Sequence, residues 1–426
     1  MNYEPNSSSS RTDKRELIID QAAQLFNEMG YADTRLEDIG SRLRTPKTSV
    51  SYHFKTKERL LSEVYGRAID FSEHALQAAK TEATGLDAML AWIAAHAQAH
   101  ADALSGTAKP LALIADLSAI ALDKQSSVAS RYSDLLADCW SLMERGEEDG
   151  SICVPSKPAA LFFILNVLHW LPRWLADVRL IDQASAIEGL INLLKTGLAQ
   201  DATRPPARPI NETQSYESDS AFDRAARNKL KREAFLRAGS RALNAHGYRS
   251  LSLNKAAAEL GVTRGAFYYH IADKDALLQG CFERTCETIE KAQSLAEDGD
   301  PPAIEILERS LRWLFERQIS NLDPLTRISL LSALDSKSRL LITARLNRLR
   351  SGFADVIARG MIDASIRPID LSAIEQLVMG SVFASSQRRD QFLRQSIFSE
   401  KPQDQISAVS YYSVLFNGLA GAPNRS

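Results

Sequence analysis

Apolar residues recur at helical spacing along nearly the whole chain, and runs of alternating β-branched residues are missing. Leu36, Ile39 and Leu43 in "LEDIGSRL" fall at i, i+3 and i+7, one face of a short helix. "FFILNVLHWLPRWLADV", Phe162 to Val178, is apolar almost all round, which predicts a helix covered on several sides. The pattern predicts an all-α fold. It breaks at "TRPPARPINETQSYESDS", Thr203 to Ser220, whose prolines and polar residues predict a linker. The apolar run Leu161–Leu171 holds Asn166 and His169, ends at Pro172-Arg173, and is shorter than the ~20 residues of a bilayer span, so no membrane partner is expected.

The linker splits the chain into halves that repeat each other. Lys14–Tyr65 matches Lys231–Phe282 without a gap. The identities are Lys14, Arg15, Glu16, Asn27, Gly30, Tyr31, Leu36, Leu43, Tyr52, His53, Lys57, Leu60 and Leu61. "ERGEEDGSI" (Glu144–Ile152) returns as "ARGMIDASI" (Ala358–Ile366), and "LSA" at Leu117 returns at Leu331. A series of this kind predicts duplication of a whole unit.

Within each copy the pattern predicts two helices of about two turns joined by a tight turn, a helix-turn-helix. In the first, "LEDIGSRL" is followed by Arg44-Thr45, with Thr45 as N-cap and Pro46 in the first position of "PKTSVSY". In the second, "LNKAAAEL" leads through Gly261-Val262 into "TRGAFYYH", with Gly261 supplying a left-handed turn. Both copies resemble the DNA-binding domain of TetR-family transcriptional regulators. The second carries the Gly-Tyr after its first helix, Gly-Val-Thr at the turn and Tyr-Tyr-His at the exit. The first carries "YHFKTKERLL" but has Arg44-Thr45-Pro46 at the turn and Thr48 where its twin has Gly265.

The resemblance implies a soluble, cytoplasmic regulator with these boundaries: a disordered tail at 1–12, helix-turn-helix domains at 13–66 and 223–283, helical regulatory domains at 67–202 and 284–420, and a linker at 203–222. A recognition helix reads bases with its first residues and fixes phosphates with others. That assigns Arg44, Thr45, Lys47, Thr48 and Ser49 to DNA in one copy, and Thr263, Arg264, Gly265 and Ala266 in the other. Tyr52, His53, Tyr268, Tyr269 and His270 would bond phosphates, with interhelical contact as the alternative for Tyr52 and Tyr269. Lys57 and Lys274 open the next helix, where an ammonium favours an anion.

Charge separates the copies. Residues 1–66 hold ten Lys/Arg and ten Asp/Glu, whereas 223–283 hold eleven against six. Non-specific affinity rests on neutralised phosphates, so the second reader is expected to anchor and the first to add discrimination. The whole chain carries −2, which excludes a general coat of positive potential.

The regulatory segments show no catalytic constellation, no Gly-rich phosphate loop and no nucleophile elbow, so no enzyme and no cofactor are expected. The four cysteines form no CxxC or Cys/His cluster, consistent with plain thiols. His169, Trp170 and Trp174 either line a ligand pocket or belong to the core. Their Trp-Pro-Arg-Trp setting resembles TetR regulators of acyl-CoA-linked catabolism. His96 and His100 stand one turn apart without an evident third metal ligand, so a polar wall is preferred and no metal is assigned.

The expected partners are an operator duplex and a small-molecule effector, with loss of DNA binding on effector binding. A DNA-binding architectural protein without ligand response is the alternative. The halves would pair inside one chain as a pseudo-dimer, or each with its counterpart in a homodimer.

Overall fold

The computed structural model describes residues 7–115, 127–210, 224–259, 262–320, 322–383, 389, 392 and 406–420; the side chains of 7–12, 224–226, 255, 256, 259, 264, 266, 267, 372 and 373 lie outside that description. The first half contains α1 (Ser7–Met29), α2 (Leu36–Arg42), α3 (Lys47–His53), α4 (Lys57–Ala79), α5 (Gly85–Ser105), α6 (Val128–Glu148), α7 (Lys157–Asp177) and α8 (Gln183–Thr196). The second contains α9 (Arg224–Ser250), α10 (Leu253–Glu259), α11 (Arg264–His270), α12 (Lys274–Ala296), α13 (Ala303–Ile319), α14 (Ser336–Ile362), α15 (Leu371–Val382) and α16 (Ala408–Asn417). Helix answers helix in order. Among the described residues the only β element is an isolated antiparallel bridge, Ala199 to Ile366.

Three expectations shift. Residues 7–12 belong to α1 rather than to a tail. The helix α3 starts at Lys47, with Pro46 in the N-cap position and no side-chain cap, so Thr45 stands outside it. Pro172 does not end α7, which runs 21 residues to Asp177. By length and composition α7 could cross a bilayer, but 67% of its apolar window is buried inside the protein.

The repeated "GxxDxSI" motif has a structural cause. Asp149 Oδ2 accepts from the Gly85 N–H at 2.7 Å, and Ser151 Oγ accepts from the Leu86 N–H at 3.0 Å. In the twin, Asp363 accepts from Ala303 at 3.0 Å and Ser365 from Ile304 at 3.3 Å. Each loop thus supplies acceptors to the first orphan donors of α5 or α13. The turn between the two acceptors is left-handed: Gly150 has φ 74° and Ala364 has φ 59°. Glycine occupies that region without steric strain, whereas the Cβ of alanine makes it unfavourable. Ala364→Gly is therefore expected to stabilise by about 1 kcal/mol, and Gly150→Ala to destabilise by a similar amount. Urea denaturation of the two variants checks both signs.

The repeated asparagine has a cause too. Asn27 Nδ2 donates to Leu111 O and its Oδ1 accepts from Leu113 N, both at 2.8 Å. Asn244 holds Leu325 O at 2.8 Å and Arg327 N at 2.9 Å in the same way. One amide satisfies two backbone groups of an irregular segment that has no ladder of its own.

The chain divides into two compact units, and the division does not follow the linker. One unit holds the first half to Cys153 and 167–191; the other takes 154–166 and 192–210 together with the second half. Within the second unit α8 and α16 meet reciprocally. Leu198 N donates to Leu415 O (2.9 Å) and Ala199 N to Phe416 O (2.8 Å), while Leu419 N donates to Leu194 O (2.8 Å) and Ala420 N to Lys195 O (3.1 Å). Phe162 and Phe163 at the start of α7 lie against Tyr411, which stacks on Phe315 with centroids 4.5 Å apart. The linker also begins as ordered chain: Arg204 pairs with buried Glu308 at 2.7 Å, and Ala207 N–H donates to the same carboxylate at 3.1 Å. Residues 211–222 lie outside the described residues.

Candidate nucleic-acid interface

In the first helix-turn-helix copy Val50 and Ile39 are completely buried, and they fix α3 against α2. Asp38 accepts from the Arg35 N–H at 2.7 Å and starts α2. The turn places Arg44 at φ 54°, a conformation the twin sequence assigns to Gly261, which lies outside the described residues. The rest of the predicted set is presented outward: Arg44, Lys47, Thr48 and Tyr52 are exposed, while Thr45, Ser49 and His53 are half-buried. Lys47 Nζ sits 2.7 Å from Glu37 Oε1 at the start of α2. The hydrogen bond from Lys47 holds the Glu37 carboxyl below the usual carboxylate range, against the opposing effect of burial. Arg42 likewise holds Glu28 of α1.

The second copy repeats the arrangement. Thr263, Gly265 and Tyr269 are exposed, Tyr268 and His270 half-buried; the side chains of Arg264 and Ala266 lie outside the described residues. Tyr52 and Tyr269 are 63% and 72% exposed, so neither is an interhelical filler. Each instead meets the edge of its neighbour, His53 at 5.3 Å and His270 at 5.0 Å between centroids.

The two lysines behave differently from the anion-facing expectation. Lys57 Nζ donates inward to Tyr31 O (2.7 Å) and Thr34 O (2.9 Å), and lies 4.0 Å from the centre of the Tyr31 ring. Lys274 Nζ donates to Arg249 O at 3.1 Å and lies 4.6 Å from the Tyr248 ring centre. These ammonium groups supply donors to carbonyls in the loop after α1 and in the last residues of α9, beyond the break at Gly247. Thr56 and Asp273 cap the same helices, accepting from Arg59 N at 3.1 Å and Ala276 N at 2.7 Å.

Ion pairs tie each helix-turn-helix copy to its regulatory helices. Arg67 on α4 holds Glu16 (2.8 Å) and Asp20 on α1, and Arg131 on α6 holds Asp70 and Glu73 on α4, each at 2.6 Å. A cleft of about 440 Å³ opens there, lined by Arg15, Glu16, Arg59, Arg67 and Arg131 among others. In the twin, Arg284 holds Glu233 and Asp323, and Arg345 holds Glu290 at 2.6 Å. Glu16, Arg67, Glu73 and Arg131 recur in the second half as Glu233, Arg284, Glu290 and Arg345, so the repeat marks these residues, while only the tertiary structure shows which of them pair.

In the regulatory helices, His169 Nε2 lies 3.1 Å from Ile114 O, Trp170 is half-buried and Trp174 is 3% exposed. None of the three lines the 440 Å³ cleft. Arg173 lies 5.9 Å from the Trp170 ring centre, and desolvation by burial lowers its pKa from the usual guanidinium value. His96 is held at 3.0 Å by Ser72, and His100 is buried one turn on. Among the described residues no three metal-binding side chains come together.

The family model for bacterial regulatory proteins of the tetR family matches the chain twice, at residues 18–64 and 235–281. The biofilm operon icaADBC HTH-type negative transcriptional regulator IcaR of Staphylococcus epidermidis is 38% identical over 56 residues, 13% of this chain and 28% of its own length. IcaR of Staphylococcus aureus strain Newman is 35% identical over 57 residues, 13% and 31% of the respective lengths. The chain thus spans less than a third of these curated relatives. Among solved structures, the TetR family transcriptional regulator PfmR of Thermus thermophilus is covered over 99% of its length and 45% of this chain, at 18% identity and a TM-score of 0.34. AibR, solved in complex with isovaleryl coenzyme A and operator DNA, is covered over 98% against 43%, at 20% identity and a TM-score of 0.34.

Proposed function

We propose that this chain, which matches the model for bacterial regulatory proteins of the tetR family at two places, is a sequence-specific DNA-binding transcriptional regulator, a repressor released by a small-molecule effector. The observation that carries this is the duplicated recognition helix, each copy presenting an exposed tyrosine, Tyr52 or Tyr269, beside the exposed start of its helix.

The two halves pair within one chain. Support comes from the reciprocal seam of α8 and α16, where residue i of one bonds j of the other and the equivalent bond returns. That is the form of a twofold interface, supplied here by duplicated sequence. Two readers on one face of B-DNA then need centres roughly 34–36 Å apart. An effector acts by favouring a form with another spacing. The ion pairs from α6 through α4 to α1 supply a physical route for that change. His169, Trp170 and Trp174 remain the proposed pocket residues for a hydrophobic or acyl-CoA-like effector.

The second reader anchors. On the protein's own upstream DNA, Arg264→Ala is expected to weaken binding about 5- to 100-fold, the range of one good base contact, and Lys47→Ala by less. Footprinting of wild type and both variants checks this. A stronger loss from Lys47→Ala would reverse the assignment of anchor, and a footprint unchanged by either would remove these helices from the interface. Lys57 and Lys274 act as positioning residues in this scheme.

A further inference from the structure

Glu37 is the residue of the first reader that the proposed function leaves without a purpose. It stands in the first turn of α2 and takes the ammonium of Lys47, the first residue of the recognition helix, at 2.7 Å. Both side chains are about half exposed, so the pair lies open to whatever approaches that face. In the ungapped match of the two readers, Lys47 corresponds to Arg264 while Glu37 corresponds to Asn254. The second reader keeps the cation and replaces the carboxylate with a neutral amide. Asn254 is exposed, so nothing buried dictates that choice.

A paired lysine has a different value to DNA from a free one. Affinity for a duplex comes largely from condensed counterions released as phosphates meet cations. A cation already neutralised by a carboxylate releases no net charge when a phosphate takes that carboxylate's place, and the displaced carboxylate repels the backbone nearby. An exposed ion pair is itself weak, so this arrangement raises a threshold rather than barring access. A tethered reader overcomes such a threshold through effective concentration once its neighbour has docked.

We infer that Glu37 is an affinity-setting carboxylate, which keeps the first reader off duplex DNA until the second reader has bound. The inference rests on the DNA-binding reading above. It makes the first reader conditional and the second obligatory, in one chain.

The test exchanges the twin residues. Full-length wild type, Glu37→Asn and Asn254→Glu are titrated against a random-sequence duplex of about 30 base pairs, long enough for two adjacent half-sites, at several salt concentrations. Glu37→Asn is expected to tighten binding three- to tenfold and to steepen the log–log salt slope by about one, the effect of one additional neutralised phosphate. Asn254→Glu is expected to weaken binding and flatten the slope by about one. Wild type that binds with the same affinity and slope as Glu37→Asn overturns the inference and leaves the DNA-binding reading intact. Wild type that fails to bind the duplex even at low salt overturns both. Thermal melts of the variants separate a binding effect from loss of folding.

Discussion

Acidifying the protein from pH 7 to pH 4.5 should destabilise its first half by about 4–5 kcal/mol through two histidines alone. Ser72 Oγ accepts from the indole N–H of Trp92 at 3.2 Å and lies 3.0 Å from His96 Nε2. Burial holds His96 down to about 3, with His100 one turn away adding repulsion, and burial holds His100 down to about 4. In the unfolded chain both titrate near 6.5. Below that pH the unfolded state binds protons that the folded state refuses, so stability falls as pH falls. The loss approaches about 2.7 kcal/mol per pH unit for the pair, and ends only near the folded values.

The twin supplies the control. Asp149 and Asp363 cap Gly85 and Ala303 alike, which aligns the two helices from their first residues. His96 then corresponds to Leu314 and His100 to Gln318, whose amide donates to Val382 O in a buried site. Ser72 corresponds to buried Ile289. The double variant His96→Leu, His100→Gln should therefore remove most of the acid slope. Calorimetric scans at pH 7, 6, 5 and 4.5 decide it: a slope that survives in the double variant assigns the acid lability elsewhere.

Gly418→Ala should destabilise the second unit by at least about 3 kcal/mol, because it adds a collision to a strained backbone. Gly418 has φ 74°, and a Cβ there would stand 2.4 Å from Lys195 O. The reciprocal residue, Gly197 at φ 71°, would place its Cβ 2.3 Å from Phe416 O. Neither neighbour can withdraw, since both are backbone groups of the seam. With the seam opened, the apolar faces of α8 and α16 lose their cover, and concentration-dependent oligomers should follow. Denaturation followed by tryptophan fluorescence, together with light scattering, measures both effects. A variant with wild-type stability and mass would mean that the seam holds little.

The helix-turn-helix copies were legible because their signals are local. Leu36, Ile39 and Leu43 repeat at helical spacing, and Tyr-His followed by Lys and Leu-Leu recurs at fixed offsets. The meaning of those identities was less legible. Lys57 and Lys274 match perfectly, yet their ammonium groups serve backbone carbonyls. Identity between copies marks a shared constraint, and holding a backbone carbonyl constrains a residue as firmly as meeting a phosphate. Thr45 and Pro46 were displaced by one position for a related reason: cap and first-turn preferences overlap, and the turn geometry around Arg44 decides between them.

From the order of its residues alone, this chain is determined to be helical, duplicated and provided with two helix-turn-helix copies of unequal charge. Those properties follow from periodicity, motif and composition, which are sums over neighbours along the chain. Tertiary structure alone decided that Lys47 faces Glu37, that His96 and His100 lie in a desolvated interior, and that Leu194 and Leu198 find Leu419 and Leu415. Each of these joins residues whose separation follows no period. Which helix faces which is settled by burial of many apolar side chains at once, and polar pairs take the positions that this burial leaves them.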